Sequence, residues 1–202
     1  MVKELEQSIN LNKKVVNLRP FDERIDFEWY YKLSTKIDSL LKWRFFGSPP
    51  SRDQFAQLLY ASVHCQFVAE LNTTRLDKDP RLGVVVSYNY DSYNNITYLG
   101  TITNGSSYGM GVVISTIFIE YLFNTFPLRK IYFEMPEFNL KSIKSAVDRF
   151  FLEESRLKNH FFAYGRYWDY LTYALYRQDF FDNYLVDKIL NRFRDSQIVS
   201  NQ

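Results

Sequence analysis

The sequence predicts a mixed α/β (α+β) domain built on a largely antiparallel sheet, and three observations predict it. Segments rich in β-branched and aromatic residues at His64–Leu71, Arg81–Tyr90 and Ile96–Thr103 follow one another closely, so antiparallel neighbours joined by short turns are the economical arrangement. From Ile96 to Met135 the order is strand, glycine-containing loop, apolar helix, strand, a crossover that makes its two strands parallel. Between Ser155 and Arg177, two aromatic-rich strands flank Tyr164-Gly165-Arg166 in the rhythm of a hairpin.

Taken in order, residues 1–14 form a polar leader and Val15–Pro20 a short strand stopped by a proline that cannot donate to a ladder. Ile25, Trp29, Leu33, Ile37, Leu40 and Leu41 recur at steps of three and four, which is one helix face, interrupted near Thr35. Gly47-Ser48-Pro49-Pro50 breaks that pattern, and Ser51 is placed to cap a helix carrying Phe55, Leu58 and Leu59. The bulky Trp43-Arg44-Phe45-Phe46 between them either packs on a sheet or walls a cleft. The apolar run Val112–Phe126 is a helix and Arg129–Met135 a strand. A short helix starts near Asn139 or Leu140, with Ile143, Ala146 and Val147 on its apolar face, and an amphipathic helix over Asp179–Arg194 ends the chain.

Composition narrows the function. The 202-residue chain is long enough for one well-packed domain, and Lys+Arg 25 against Asp+Glu 23 leaves a net charge of +2. That balance supplies no broad field for nucleic acid or an anionic membrane, so neither is expected as a partner. Cys65 is the single cysteine, which excludes an intramolecular disulfide and a multi-cysteine zinc site. With His64 and His160 as the only histidines, no metal is expected. His64 and Cys65, adjacent on a strand, should point to opposite faces and form no catalytic pair. The start of the chain has no apolar core for a signal peptide and no segment has the length of a membrane span, so a cytoplasmic protein is expected. Aromatic residues reach 18% of the chain. They serve the core and a subunit interface, and can also line an acceptor pocket.

The chemistry-bearing stretch is the turn Asn104-Gly105-Ser106-Ser107-Tyr108-Gly109-Met110-Gly111, set between a strand and a helix. Small residues let backbone approach a ligand closely, and the first helical turn leaves amides unpaired, so this junction can hold an anion such as a pyrophosphate. A tight connection with no ligand satisfies the same residues.

The succession of that loop, the helix, Leu128-Arg129-Lys130-Ile131, Asn139-Leu140-Lys141-Ser142 and Tyr164-Gly165-Arg166-Tyr167-Trp168-Asp169-Tyr170 resembles the GNAT acetyltransferases. The branch it resembles is that of the ribosomal-protein alanine acetyltransferases, and the similarity in order spans residues 15–178, with residues 179–202 a terminal helix and tail. The resemblance implies a sheet of about six to seven strands, helices on both faces, and a splayed central parallel pair. It implies acetyl-CoA as cosubstrate, bound by Ile102, Thr103, Asn104, Ser106, Ser107, Tyr108, Gly109, Met110, Gly111, Val112, Asn139 and Ser142. Gly109 and Gly111 match the family's last two fixed loop positions, whereas Ser106 stands where Gln or Arg is usual, and Phe150 stands where this branch has glycine. The Asn139-x-x-Ser142 pair also has a plain reading as helix capping.

The implied reaction is direct acetyl transfer from acetyl-CoA to a primary amine. It requires a neutral amine, a polarised carbonyl and a proton for the leaving thiolate. Backbone amides from Ile102 to Asn104 are the oxyanion donors that the resemblance suggests. Ser142, and after it Tyr167, are the candidates for the proton to sulfur, and Glu134 and Tyr98 for positioning or activating the amine. The family's usual carboxylate near Tyr98 is missing between Ile96 and Thr103. A non-catalytic acyl-CoA-binding or interaction module on the same fold, and an aromatic-rich structural subunit, stand as the alternatives. The acceptor and the choice between monomer and homodimer are left open by the sequence.

Overall fold

The computed structural model describes residues 15–72, 79–105, 109–140 and 150–193. Its elements are β1 (Val16–Pro20), α1 (Glu23–Ser34), α2 (Ile37–Leu40), α3 (Arg52–Leu58), β2 (Val63–Leu71), β3 (Arg81–Asp91) and β4 (Ile96–Thr103). There follow α4 (Met110–Thr125), β5 (Lys130–Pro136), a 3₁₀ turn (Glu137–Asn139), β6 (Leu152–Ala163), β7 (Arg166–Tyr176), α5 (Arg177–Phe181) and α6 (Tyr184–Phe193). The strands form one sheet in the order β1-β2-β3-β4-β5-β7-β6. Only β4 and β5 pair in parallel; the other ladders are antiparallel.

Helix ends fall where capping chemistry puts them. Asp22 accepts the Arg24 N–H at the start of α1, and Thr35 closes that helix by donating its own N–H to Tyr31. Ser51 and Gln54 exchange side-chain and backbone hydrogen bonds in a capping box at α3. The single terminal helix expected from Asp179 to Arg194 is instead two. The Asn183 side chain accepts from Leu185 N–H and its carbonyl from Val186 N–H, so a polar residue restarts the helix in a new direction.

Register places two cores on the two sheet faces. Val68, Val84 and Ile102 are cross-strand neighbours and pack under α1 and α3 with Tyr30, Leu33, Phe55 and Leu59. On the other face Val85, Leu99, Ile131 and Leu175 meet Ile114, Phe118 and Leu122 of α4 and Val186 and Leu190 of α6. Helix α4 is buried over most of its circumference, which explains why its sequence lacks a polar stripe. The apolar positions expected at Ile143, Ala146 and Val147 lie outside the described residues, as does the leader. No helix among the described residues is long and apolar enough to cross a membrane.

An ion network ties the first half of the sheet to α1. Asp26 is fully buried and receives two hydrogen bonds from the Arg19 guanidinium at 2.6 and 2.8 Å, one from the Asp22 N–H at 3.0 Å, and a longer one from Arg81 at 3.4 Å. Arg19 also reaches Glu70 of β2 at 2.7 Å. Burial alone would raise the Asp26 pKa, but the Arg19 and backbone hydrogen bonds outweigh it and hold the carboxyl below its ordinary value.

The stability that follows is complete above the unfolded-state value near 4 and is lost as pH falls through the lowered folded value. Asp26→Asn should therefore lower Tm at pH 7 by roughly 5–10 °C, equivalent to about 2–3 kcal/mol. It should also flatten the acid side of the Tm-against-pH curve. A variant melting like the parent at pH 7 would show the network to be dispensable.

Candidate active site

The site begins where one ladder stops. β4 and β5 pair only at Ile96–Lys130, Thr97–Ile131 and Tyr98–Tyr132. Beyond that point β4 stays on β3 as far as Gly83–Thr103, and β5 stays on β7 as far as Pro136–Tyr170. The two strands thus diverge between Leu99–Thr103 and Phe133–Pro136, each held by its outer neighbour.

Backbone parity decides which groups face the gap. Asn104 N–H donates to Leu82 O at 2.9 Å, toward β3, and Asn95 O accepts from Arg129 N–H at 2.9 Å, toward β5. Since successive residues of a strand turn their polar groups to alternate sides, Ile102 follows Asn104 toward β3, the Leu99 amide turns to Tyr132 at the last rung of the parallel ladder, and Thr101 and Thr103 turn theirs into the gap. This corrects the expectation for Ile102 and Asn104: their amides are directed to β3, and that of Asn104 is occupied by Leu82.

Helix α4 starts at the end of β4 with its N-terminus exposed. Its N-cap is Gly109 in left-handed backbone at φ +82°, with no side-chain cap and no acidic residue in the first turn. A β-carbon on Gly109 would touch nothing within 4 Å, so the glycine is required by backbone conformation and not by crowding. Met110, Gly111 and Val112 supply first-turn amides, and Val112 N–H donates to Gly109 O at 3.2 Å. Ser106, Ser107, Tyr108 and Ser142 lie outside the described residues. Asn139 sits in the 3₁₀ turn that leaves β5.

On the face shared with α1 and α3, the gap opens onto tyrosines. Tyr88, Tyr98 and Tyr132 are neighbours in register on β3, β4 and β5, with ring centroids 5.6 and 5.2 Å apart. Glu134 lies two residues further along β5, half-buried, and accepts from the Thr172 hydroxyl at 3.3 Å. Burial pushes its carboxyl up, and the Thr172 bond only partly offsets that. Burial, and then the Glu134 charge, hold Tyr98 and Tyr170 above the ordinary phenol value, Tyr170 at about 12. The same two causes act on Tyr88. These phenols stay protonated at neutral pH.

Past Tyr170, a shallow cavity of about 450 Å³ is lined by Phe46, His160, Phe161, Phe162 and Tyr170. Trp43 covers Gly100, where an added β-carbon would come within 3.0 Å of its ring, and Phe46 faces Phe161 at 5.7 Å. The bulky loop after α2 therefore does both things foreseen for it.

Of the predicted catalytic residues, Tyr98 and Glu134 fall on one face beside the gap. Tyr167 does not join them: it sits at the hairpin tip, 62% exposed, against Phe162. Tyr88, Tyr170 and Phe161 were missed, because their convergence depends on strand register.

His64 and Cys65 behave differently from expectation. A register shift between Val63 and Cys65 breaks the alternation, and both side chains reach Ser87, His64 Nδ1 at 3.4 Å and Cys65 by a hydrogen bond. Burial raises the thiol to about 11 and lowers the imidazole, which stacks on Tyr90. The thiol stays protonated at neutral pH, and the imidazole is packed between Tyr90 and Phe126 away from the gap. No cluster of His, Cys, Asp or Glu among the described residues could hold a metal ion.

No family model matches the sequence, and no curated protein matches it. Solved structures do. The spermidine N-acetyltransferase of Vibrio cholerae, in complex with CoA and spermine, superposes with a TM-score of 0.68 at 21% identity, over 82% of this chain and 98% of that one. A structure of the Vibrio cholerae spermidine/spermine N-acetyltransferase with manganese ions gives 0.66 at 19% identity, over 84% and 97%. This chain has the GNAT fold.

The raised Glu134 carboxyl has a measurable consequence. A carboxyl whose folded pKa exceeds its unfolded value binds more protons when folded, so stability is lost as pH rises from about 4 through the folded value. Glu134→Gln should remove that loss. Its Tm relative to the parent should be higher at pH 8 than at pH 4 in a melting series, and a constant difference would contradict the assigned environment.

Proposed function

We propose that this protein is an acetyl-CoA-dependent N-acetyltransferase that transfers the acetyl group directly to a primary amine. The observation that carries the reading is the end of the β4–β5 ladder at Tyr98–Tyr132, next to a helix whose N-cap is Gly109, a residue with no side chain to cap it. A pyrophosphate fits that helix end: the amides of Met110, Gly111 and Val112 point out of it, Gly109 shapes the approach, and no carboxylate opposes an anion. The remainder of the cosubstrate would lie along the gap, with Asn139 near the exit of β5; Ser106, Ser107 and Tyr108 remain the loop residues that the resemblance assigns to it. Acetyl-CoA supplies the activated thioester.

The chain's own residues would do the rest. The Thr103 and Thr101 amides face the gap and can polarise a carbonyl oxygen there, replacing the donors first expected at Ile102 and Asn104. Glu134 is positioned to accept the proton of an ammonium entering from the tyrosine side, directly or through water, and its raised pKa suits it to that role near neutral pH. It occupies the adjacent strand from the position where a carboxylate was missing beside Tyr98. Tyr98 holds its own proton and orients the amine. Ser142 is the candidate for returning a proton to sulfur, and Tyr167, at the exposed hairpin tip, is set aside for that role. Holding the two substrates in line supplies much of the acceleration.

The acceptor class is supported at the level of an amine. Polyamines are named for the structural neighbours, and a peptide N-terminus would follow from the resemblance to ribosomal-protein alanine acetyltransferases.

Titration with coenzyme A should stabilise the fold by mass action, by about 2.7 kcal/mol at a hundredfold excess over Kd, or roughly 5–10 °C in Tm. No change in Tm together with no binding heat would overturn the donor reading. Gly109→Val should weaken that binding about tenfold, because a β-branched residue resists the left-handed conformation. Glu134→Gln should lower kcat by about a hundredfold or more and abolish the acidic limb of the rate profile. Binding of coenzyme A without thioester consumption across a broad amine panel would instead mark a non-catalytic module.

A further inference from the structure

The β5–β7–β6 half of the sheet carries several carboxylates close to the gap, and nearly all are already committed. Glu137, Glu153 and Asp169 converge on the Arg156 guanidinium at 2.8–3.1 Å. Glu154 holds Lys130 at 2.7 Å and also accepts from the Tyr132 and Tyr176 hydroxyls. Glu134 is the exception among these: its hydrogen bond is to a neutral hydroxyl, from Thr172.

Around Glu134 the surface is aromatic. Tyr88, Tyr98 and Tyr170 are the phenols that sense its charge, and Tyr170 stacks with Phe161 at 6.1 Å and lines the cavity beyond. Phe46 closes that cavity from the opposite side. Its backbone is left-handed at φ +46°, an unfavourable conformation for a bulky residue, which the packing of the loop nevertheless maintains. The arrangement is one carboxylate at the gap and a ring-lined recess behind it.

On the acetyl-transfer reading above, we infer that the acceptor is a monoamine carried on an aromatic or bulky apolar body, with its ammonium at Glu134 and its body in the recess between Phe46 and Phe161. One cationic group is matched by one carboxylate, and the aromatic faces add attraction for the cation and area for the body. A polyamine requires compensation for each further ammonium. Here the second would meet an open recess whose lining residues, Phe46, His160, Phe161, Phe162 and Tyr170, include no carboxylate, so it gains no ionic partner there. The chain thus separates in acceptor from the polyamine enzymes whose fold it shares.

Calorimetric titration of phenethylamine and of spermidine, into the protein alone and into the protein saturated with coenzyme A, tests this. Phenethylamine should bind at least about tenfold more tightly than spermidine. Phe161→Ala should weaken phenethylamine about tenfold and leave coenzyme A affinity unchanged. Should Phe161→Ala fail to fold, Phe46→Ala serves the same purpose, since that ring is 62% exposed and lies outside the core. The inference is overturned by spermidine binding as tightly as phenethylamine, by no phenethylamine binding to either form, or by indifference to the aromatic substitution. Loss of coenzyme A binding alone would count against the donor reading and not against the acceptor assignment, because the amine titrations into the free protein decide the latter.

Discussion

The constraint on which the site depends is the interruption of a single β ladder. A parallel pair that continued from Tyr98–Tyr132 to the ends of β4 and β5 would close the sheet and consume the amides of Thr101 and Thr103. Stopping there leaves backbone donors and acceptors in the middle of a protein, which is costly unless water or a ligand satisfies them. The cost is tolerable because each strand keeps its outer partner: β3 holds β4 over its whole length, and β7 holds β5 as far as Pro136. The molecule is therefore two half-sheets hinged at three residue pairs, and the gap is a property of topology that no single side chain creates.

The side chains secure each half separately. Arg19, Asp26, Glu70 and Arg81 lock β1, β2, β3 and α1 together, while Lys130 and Glu154 join β5 to β6, with Tyr132 and Tyr176 completing the carboxylate's hydrogen bonds. Across the hinge, the backbone bonds from Arg129 to Asn95 and from Arg177 to Arg129 fix the closed end. Below it, α4 and α6 pack against Leu99, Ile131 and Leu175, which contribute from both halves. Rigidity is thus concentrated at the narrow end and on one face, and polar opportunity at the wide end of the other.

Much of this was legible in the sequence. Strand and helix positions followed from periodicity, and breaks from proline, glycine and capping residues, because those signals act within a few residues. The glycine at position 109 could be singled out because a positive φ has few substitutes. Cross-strand geometry was far less accessible. Opposite faces for His64 and Cys65 failed at a bulge, which adds a residue to one strand and resets the alternation. Asn104 looked like a free donor until the β3 register assigned its amide to Leu82. Tyr88 and Tyr170 carry no local mark of function. They meet Glu134 only because two antiparallel registers and one parallel register bring four strands into phase.

The environment of Glu134 links these levels. An amine attacks only when neutral, so the site must take a proton from an ammonium that arrives charged. A fully solvated carboxylate is too weak a base for that exchange, and a carboxylate paired with arginine is weaker still. Glu134 escapes the second condition because Arg156, opposite Leu171, lies on the other sheet face, and Lys130 on its own face is engaged by Glu154. It escapes the first because the divergence of β4 and β5 leaves it half-buried under tyrosines that hold their own protons. The same aromatic surroundings that partly bury it offer no second carboxylate to a further positive charge. Basicity and acceptor selectivity therefore have one physical origin here, and a substitution that admits water around Glu134 should weaken both together.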